Sequence, residues 1–386
     1  MPDLPVIVIT FAVLGFPEEC FCGDLKDVTI PGVNWDGSPA TTLTDPVTVV
    51  LSVGGETILS ETYYPDADNK IVIRRLGELL LPYFTLPVSG FVGSSRDASI
   101  QVQLSLTSDQ AGNDVKTSVV HYSRLPINHD FAAPYLHLLS RYQEKKTAVG
   151  RVEMISGMTG ISRIDVGVAY LLNGVAKYTK IQLGNIVNCT TMNVSIDVIT
   201  AQINTSQSLT LTPADVLYYD LYAVRIVETV ESVVDKIRLV HDTRNYPHPV
   251  NIAYYNCFGV METITLTGID ERSVDLGGEF AYADAKYRKI DTVPVVSDKV
   301  YTGHIDQQTA QALEDLVTSD LVFLYENGVL TKEITITDIE MVRKKPSYEP
   351  IGYAITYRPV DKRHLEFTQR VLPTGIFDST FDYTFD

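Results

Sequence analysis

The strongest constraint in this chain is a period of two. In "ASIQVQLSL", Ile100, Val102, Leu104 and Leu106 fall on one side of an extended segment, and Gln101, Gln103 and Ser105 on the other. Successive side chains of a strand point to opposite faces, so such a segment covers a core with one side and meets water with the other. The same alternation runs through "VTVVLSV" (Val47, Val49, Leu51, Val53), "GVAYL", "YYDLYAVRIV", "ETITLT" and "YAITYR" (Tyr353, Ile355, Tyr357). One-sided strands of this kind belong to antiparallel sheets rather than to a doubly wound parallel core.

Turn chemistry agrees. Gly54-Gly55 separates "VTVVLSV" from "ETILSETYY", Asn173-Gly174 separates "VGVAYLL" from "VAKYTKIQL", and Asn327-Gly328 separates "LVFLYE" from "VLTKEITI". Each dipeptide accepts the positive φ angles of a two-residue hairpin. "DADNK" (66–70) reads as a further hairpin tip, because it lacks the spacing of a calcium loop.

Helical spacing is scarce. "HIDQQTAQALEDLVTSD" (304–320) places Ala310, Leu313, Leu316 and Val317 on one stripe behind Asp306 as N-cap, and "RRLGELLLPYF" places Leu76, Leu79, Leu80 and Tyr83 likewise. Residues 131–146 fit a helix or an extended connector, and the Thr/Ser/Asn-rich segment 188–212 reads as a polar loop or edge strand. A chain of 386 residues exceeds one ordinary core. Proline-rich breaks near 126 and 249 divide it into β-rich domains at 1–126, 127–248 and 249–386, the last with one helix. The expected fold is therefore mainly β, with several antiparallel sandwich-like domains in series and a few short helices.

Composition narrows the function. A formal charge of -17 repels phosphate backbones and anionic headgroups, so neither nucleic acid nor membrane insertion is expected. The densest basic runs, Arg141 to Lys146 and Arg343 to Lys345, are short and read as solvated faces. The apolar start, residues 6–16, follows Asp3 and Pro5 with no preceding cation and reads as a buried strand rather than a signal peptide.

Chemistry is harder to find. Cys257, in "AYYNCFGVMETITLTG", has aromatic neighbours and a following glycine, the composition of a strand with a bend; Glu262 is then a solvent-side or edge carboxylate of the next strand. Cys20 and Cys22 form a C-x-C pair with no second pair to complete a zinc site. No nucleophile elbow, metal-binding helix or phosphate loop is present, so no catalytic residue, metal or cofactor is expected. His241 and His248, near a domain join, are the residues a hydrolase reading would need. A glycan-binding module would use Trp35, the one tryptophan, as a stacking platform in "GVNWDGSP". Tyrosines such as Tyr218, Tyr222, Tyr353 and Tyr357 occupy alternating positions that packing explains. In the tail "RVLPTGIFDSTFDYTFD", Phe377, Phe381, Tyr383 and Phe385 form an apolar strand face that either completes its own domain or pairs with a neighbouring subunit.

Two sets of segments carry a resemblance. "VTVVLSVGGETILSETYYPDADNKIVIRRLGELLLPYF" (47–84), and "YYNCFGVMETITLTG" (254–268) with "HIDQQTAQALEDLVTSDLVFLYENGVL" and "YAITYRPVDKRH", resemble β-rich structural proteins of tailed bacteriophages and of prophages in Bacteroides-type gut bacteria. The resemblance implies a tail or baseplate component of a virion, found in the particle or in the host bacterial cytoplasm during assembly. Such a component works by self-association and contact with other virion proteins. The resemblance assigns no site residue. A structural, assembling protein is thus the first reading, a carbohydrate- or surface-binding module the alternative, and a hydrolase the third.

Overall fold

The computed structural model describes residues 10–33, 45–85, 99–109, 111–124, 137–158, 160–187, 189–268, 270–277, 280–283, 286–289, 293–303, 305, 307–341 and 352–360. Trp35 and the tail residues Phe377, Phe381, Tyr383 and Phe385 lie outside them, as do Asp306 and the run Arg343 to Lys345. The described residues are mainly β, with antiparallel sheets in series and three short helices, as the alternation requires.

The first unit is a sandwich. Strands β1 (Thr10–Phe11), β3 (Val28–Val33) and β6 (Lys70–Ile73) form a small sheet. It faces a larger one made of β2 (Glu19–Phe21), β4 (Val47–Val53), β5 (Glu56–Tyr63), β7 (Ser99–Ser108) and β8 (Gly112–His121), in the order β2-β8-β7-β4-β5. Val47, Val49 and Leu51 meet Val102, Leu104 and Leu106, and all six are essentially inaccessible, on the face the alternation selected. "DADNK" is not a hairpin tip: it joins strands of two different sheets, and Asp66 Oδ1 accepts the backbone N–H of Asp68 and Lys70 in an Asx turn.

Helix α1 (Leu76–Leu80) is shorter than the spacing predicts, and Pro82 lies in the 3-10 turn that follows it. Leu76 and Leu80 enter the core, whereas Leu79 and Tyr83 stay exposed. Gly77 explains the close seat: its N–H donates to the Leu25 carbonyl at 2.7 Å, and its own carbonyl accepts the Cys22 thiol at 2.9 Å. A Cβ there would collide with the Cys22 carbonyl oxygen.

The second unit is a five-stranded sheet of β9 (Glu144–Thr147), β11 (Arg163–Leu172), β12 (Val175–Asn185), β14 (Val216–Val227) and β15 (Val230–His241), in the order β12-β11-β14-β15-β9. A ribbon of β10 (Met154–Gly157) and β13 (Thr190–Asn193) adjoins it. Residues 137–143 form a series of bends around an isolated bridge from Leu138 to Gly157, and no helix occupies the described part of 131–146. By contrast, the segment read as a polar loop or edge strand holds α2 (Ile196–Gln207) after β13. Ile196, Ile199 and Ile203, three and four residues apart, bury completely against β11 and β14. The polar residues that hid this stripe serve the backbone: Asn204 Nδ2 donates to the Leu211 carbonyl and its Oδ1 accepts the Leu211 N–H, both at 2.8 Å.

The third unit is a seven-stranded sheet built from β16 (Val250–Tyr255), β17 (Met261–Leu266), β18 (Asp270–Gly277), β21 (Val293–Tyr301), β22 (Val322–Glu326), β23 (Val329–Met341) and β24 (Tyr353–Pro359), in the order β17-β16-β22-β23-β24-β21-β18. A hairpin of β19 (Phe280–Ala283) and β20 (Lys286–Lys289) lies between β18 and β21 in the chain. Helix α3 (Gln307–Thr318) packs Leu313 and Leu316 onto this sheet beside Tyr353, Ile355 and Tyr357. All three two-residue turns form as the dipeptides require, with positive φ at Gly54 and Gly55, Asn173 and Gly174, and Asn327 and Gly328.

Substituting Gly77→Ala is expected to destabilise the chain by roughly 1–3 kcal/mol, the range for overpacking a close contact. Urea unfolding followed by circular dichroism checks this.

Candidate functional site

Cys257 lies in the turn between β16 and β17, with Gly259 at φ +70°. The bend expected from the sequence is present, but its surroundings are charged rather than merely aromatic. Glu262 lies on the edge strand β17, one of the two placements expected, but it is 4% exposed and faces inward rather than toward solvent. It shares the parity of Ile264 and Leu266 on β17, both buried in the core of the third unit. The alternation therefore did assign Glu262 to the inner face; its charge argued the other way.

A buried carboxylate needs partners. Ser140 Oγ donates to Glu262 Oε1, and Asn256 Nδ2 donates to Glu262 Oε2 at 3.2 Å and to the Leu139 carbonyl at 2.8 Å. Asn256 Oδ1 in turn accepts the N–H of Phe258 at 3.0 Å, fixing the turn. Lys145 reaches in from β9: its ammonium pairs with Glu153 and donates to the carbonyl and hydroxyl of Thr263. Arg141 donates to Asp315 of α3 at 3.0 Å, and the Asp315 side chain is 1% exposed. The run Arg141 to Lys146 is thus not a solvated face; two of its cations serve the junction of the second and third units.

Desolvation dominates the titration behaviour. Burial pushes Glu262 above the ordinary carboxylate range, and the Lys145 charge and the bonds from Ser140 and Asn256 only partly oppose it. Burial raises the Cys257 thiol far above its usual value, and the nearby Asp315 carboxylate adds to the shift. Such a thiol stays protonated at neutral pH, the opposite of what a nucleophile requires.

The same turn touches the first unit. Arg124 N–H donates to the Cys257 carbonyl at 3.0 Å, and the Arg124 guanidinium pairs with Asp320 at 2.6 Å. Phe258 meets Phe21 edge-on at 6.0 Å between centroids, beside Leu139, Met158, Cys189 and Val260. One turn therefore joins segments from all three units.

Other residues named from the sequence are dispersed. His241 Nδ1 donates to the Val216 carbonyl at 2.9 Å, and His248 is exposed. Cys22 is engaged by Gly77, and Cys20 lies 3.9 Å from the Ser118 hydroxyl; burial raises these thiols to about 12 and about 11. Among the described residues no group of His, Cys, Asp or Glu is arranged to hold a metal. No helix among them is long and apolar enough to cross a membrane. Tyr353 and Tyr357 are core residues, but Tyr218 and Tyr222 lie on the outer face of the second sheet. There Arg238 covers the Tyr218 ring at 4.3 Å and grips Asp220 at 2.7 Å, while Arg163 and Lys180 hold Asp165 at 2.8 and 2.9 Å. Burial favours the protonated acids, but these bonds outweigh it and hold both carboxyls below their usual range.

No protein-family model and no curated protein matches the chain. Among solved structures it is similar to three N-terminal domains of the highly immunogenic outer capsid protein of bacteriophage RB49, with 9% identity over 61% of this chain and 70% of that one, at a TM-score of 0.20. It is similar to E. coli alpha-2-macroglobulin with 7% identity over 93% of this chain and 20% of that one, at 0.21. It is also similar to the Bacteroides ovatus mixed-linkage glucan utilization locus protein SGBP-B, solved with a mixed-linkage heptasaccharide, with 10% identity over 88% and 76%, at 0.15. Scores this low fix neither the topology nor the role of this chain.

Replacing Lys145 by Met strands Glu153 and Glu262 without their cation and is expected to cost about 3–5 kcal/mol at neutral pH. Because Glu262 has a raised folded pKa, its ionisation opposes folding, so that loss shrinks as pH falls toward 5. Urea titrations of both proteins at the two pH values measure the difference.

Proposed function

We propose that the chain is a non-enzymatic structural subunit that works through protein–protein interfaces. The observation that carries this reading is the far end of the β14–β15 hairpin. β11 begins at Arg163, paired with Val224, so the ribbon from Arg225 to Ser232 extends past its neighbour. On the other side β9 pairs with β15 only from Arg238 onward, leaving the edge of β15 from Val230 to Ile237 without a strand among the described residues. The ribbon displays Ile226, Val227 and Val230, 37, 50 and 68% exposed, and the open edge continues with Val233, 54% exposed.

A two-stranded ribbon is marginal alone in water, and an open edge with β-branched side chains is a template for another strand. Burying one valine contributes about 1.5–3 kcal/mol, so a partner that covers the ribbon gains a substantial share of a binding energy. The charge of -17 favours solubility of the unassembled chain. The segments that resemble phage and prophage structural proteins support a virion subunit, and a tail or baseplate position is the specific form proposed. The units at 1–126, 127–248 and 249–386 are its serial building blocks.

Light scattering on a sizing column, over a concentration series, tests the reading. The wild-type chain is expected to form a closed oligomer, and Val230→Lys with Val233→Lys to shift it to monomer without altering thermal unfolding. A wild-type monomer at every concentration, or an oligomer indifferent to both lysines, contradicts it.

A further inference from the structure

A second feature of the junction is a cleft of about 260 Å³ between the second and third units. Its walls come from β9, from the segment after β15, from β17 and from the approach to α3. Four cations line it, Lys145, Lys146, Arg151 and Arg244, against the one carboxylate of Asp242. That balance is the reverse of the chain as a whole, which carries -17.

The anionic groups are already engaged. Asp242 accepts Arg244 through both oxygens, at 2.8 and 2.7 Å, and the Tyr246 hydroxyl at 2.9 Å. The Arg244 bonds hold its carboxyl far below the usual range despite opposing burial, so it stays charged and fixed. Glu153 is committed to Lys145. Lys146 and Arg151 have no carboxylate partner among the described residues. Arg151 instead sits 5.9 Å from the Tyr246 ring, and Arg244 sits 5.4 Å from the same ring. One aromatic ring therefore holds two guanidiniums at the mouth of the cleft, and Asp242 neutralises only that of Arg244, whose side chain is 63% exposed, leaving Arg151 with its charge turned toward the opening.

An oxyanion is the group that relieves such an arrangement, since guanidinium and ammonium donors bind carboxylate or phosphate through charge-assisted bonds. The rest of the lining adds body recognition. Ile264 and Ile305 supply apolar wall, Thr267 and Thr302 supply hydroxyls, and Thr309 stands in the first turn of α3, whose dipole adds positive potential. The volume suits a ligand of about one sugar ring, just below the usual range for drug-sized pockets.

We propose that this cleft binds a small oxyanion-bearing ligand, a carboxylate or phosphate carried on a polar body of one-ring size. Lys146 and Arg151 are its charged contacts, and Tyr246 with Asp242 positions the guanidiniums. The lining residues lie apart from the β14–β15 ribbon, so binding here is tested separately from assembly.

Calorimetric titration of the full chain at fixed ionic strength with glucuronate, glucose 6-phosphate, inorganic phosphate and neutral glucose tests it. Saturable binding of at least one anion is expected, with glucose silent and affinity falling as sodium chloride rises. The tighter of glucuronate and glucose 6-phosphate identifies the headgroup. Lys146→Gln, at an exposed side chain, and Arg151→Gln are each expected to weaken binding about tenfold, the effect of losing one charge-assisted bond. Arg151→Lys, which keeps the charge, is expected to lose less. Unchanged thermal unfolding of Lys146→Gln establishes that its loss is local. Absence of saturable binding by every anion, equal binding of glucose, or affinity unaffected by both glutamine substitutions overturns the proposal.

Discussion

The bond set around Glu262 decides how the rest of the chain can be arranged. A carboxylate that is 4% exposed is tolerated only with its partners in place, and those come from different units: the Ser140 donor from the segment leading into the second sheet, the Lys145 charge from its strand β9, and the Asn256 donor from the third unit. Apolar packing alone permits sliding of one sheet on another, because it is non-directional. Hydrogen bonds to buried charges do not, since a displaced donor leaves an unpaired group in a dry site. The same turn carries Phe258 against Phe21 and the Cys257 carbonyl against Arg124, so the register of the first unit is tied to the same few residues.

This rigidity gives meaning to the outer features. The β14–β15 ribbon projects from a sheet whose edge strand β9, paired with the other end of β15, delivers Lys145 into the network and Lys146 into the cationic cleft. Sheets locked together in this way present ribbon and cleft in a fixed relation, as the proposed assembly role requires. Cys257 and Glu262, the groups whose chemistry invited attention in the sequence, are occupied in holding that frame.

Much of the fold was legible because the signals were local. Alternation located the inner faces of β4, β7 and β24, the Gly-Gly and Asn-Gly pairs located three hairpins, and the Leu313 and Leu316 stripe located α3. What escaped depends on long-range pairing. Helix α2 was masked by Thr, Ser and Asn residues that satisfy neighbouring backbone, leaving three isoleucines as its signal. The Arg141 to Lys146 run looked solvated because its partners, Glu153 and Asp315, are distant in sequence. Glu262 shows the conflict most plainly, since its parity placed it inside while its charge placed it outside, and only the donors assembled by the fold decide between them.

Amide hydrogen exchange across the turn from Asn256 to Glu262, compared with the central strands of the second and third sheets, tests the central claim most directly. If the buried network locks the units together, the turn amides exchange only with global unfolding, at the rate of the slowest strands. Exchange of the turn through a separate, lower-energy opening while both sheets stay protected would contradict it, and would mean that the units move independently.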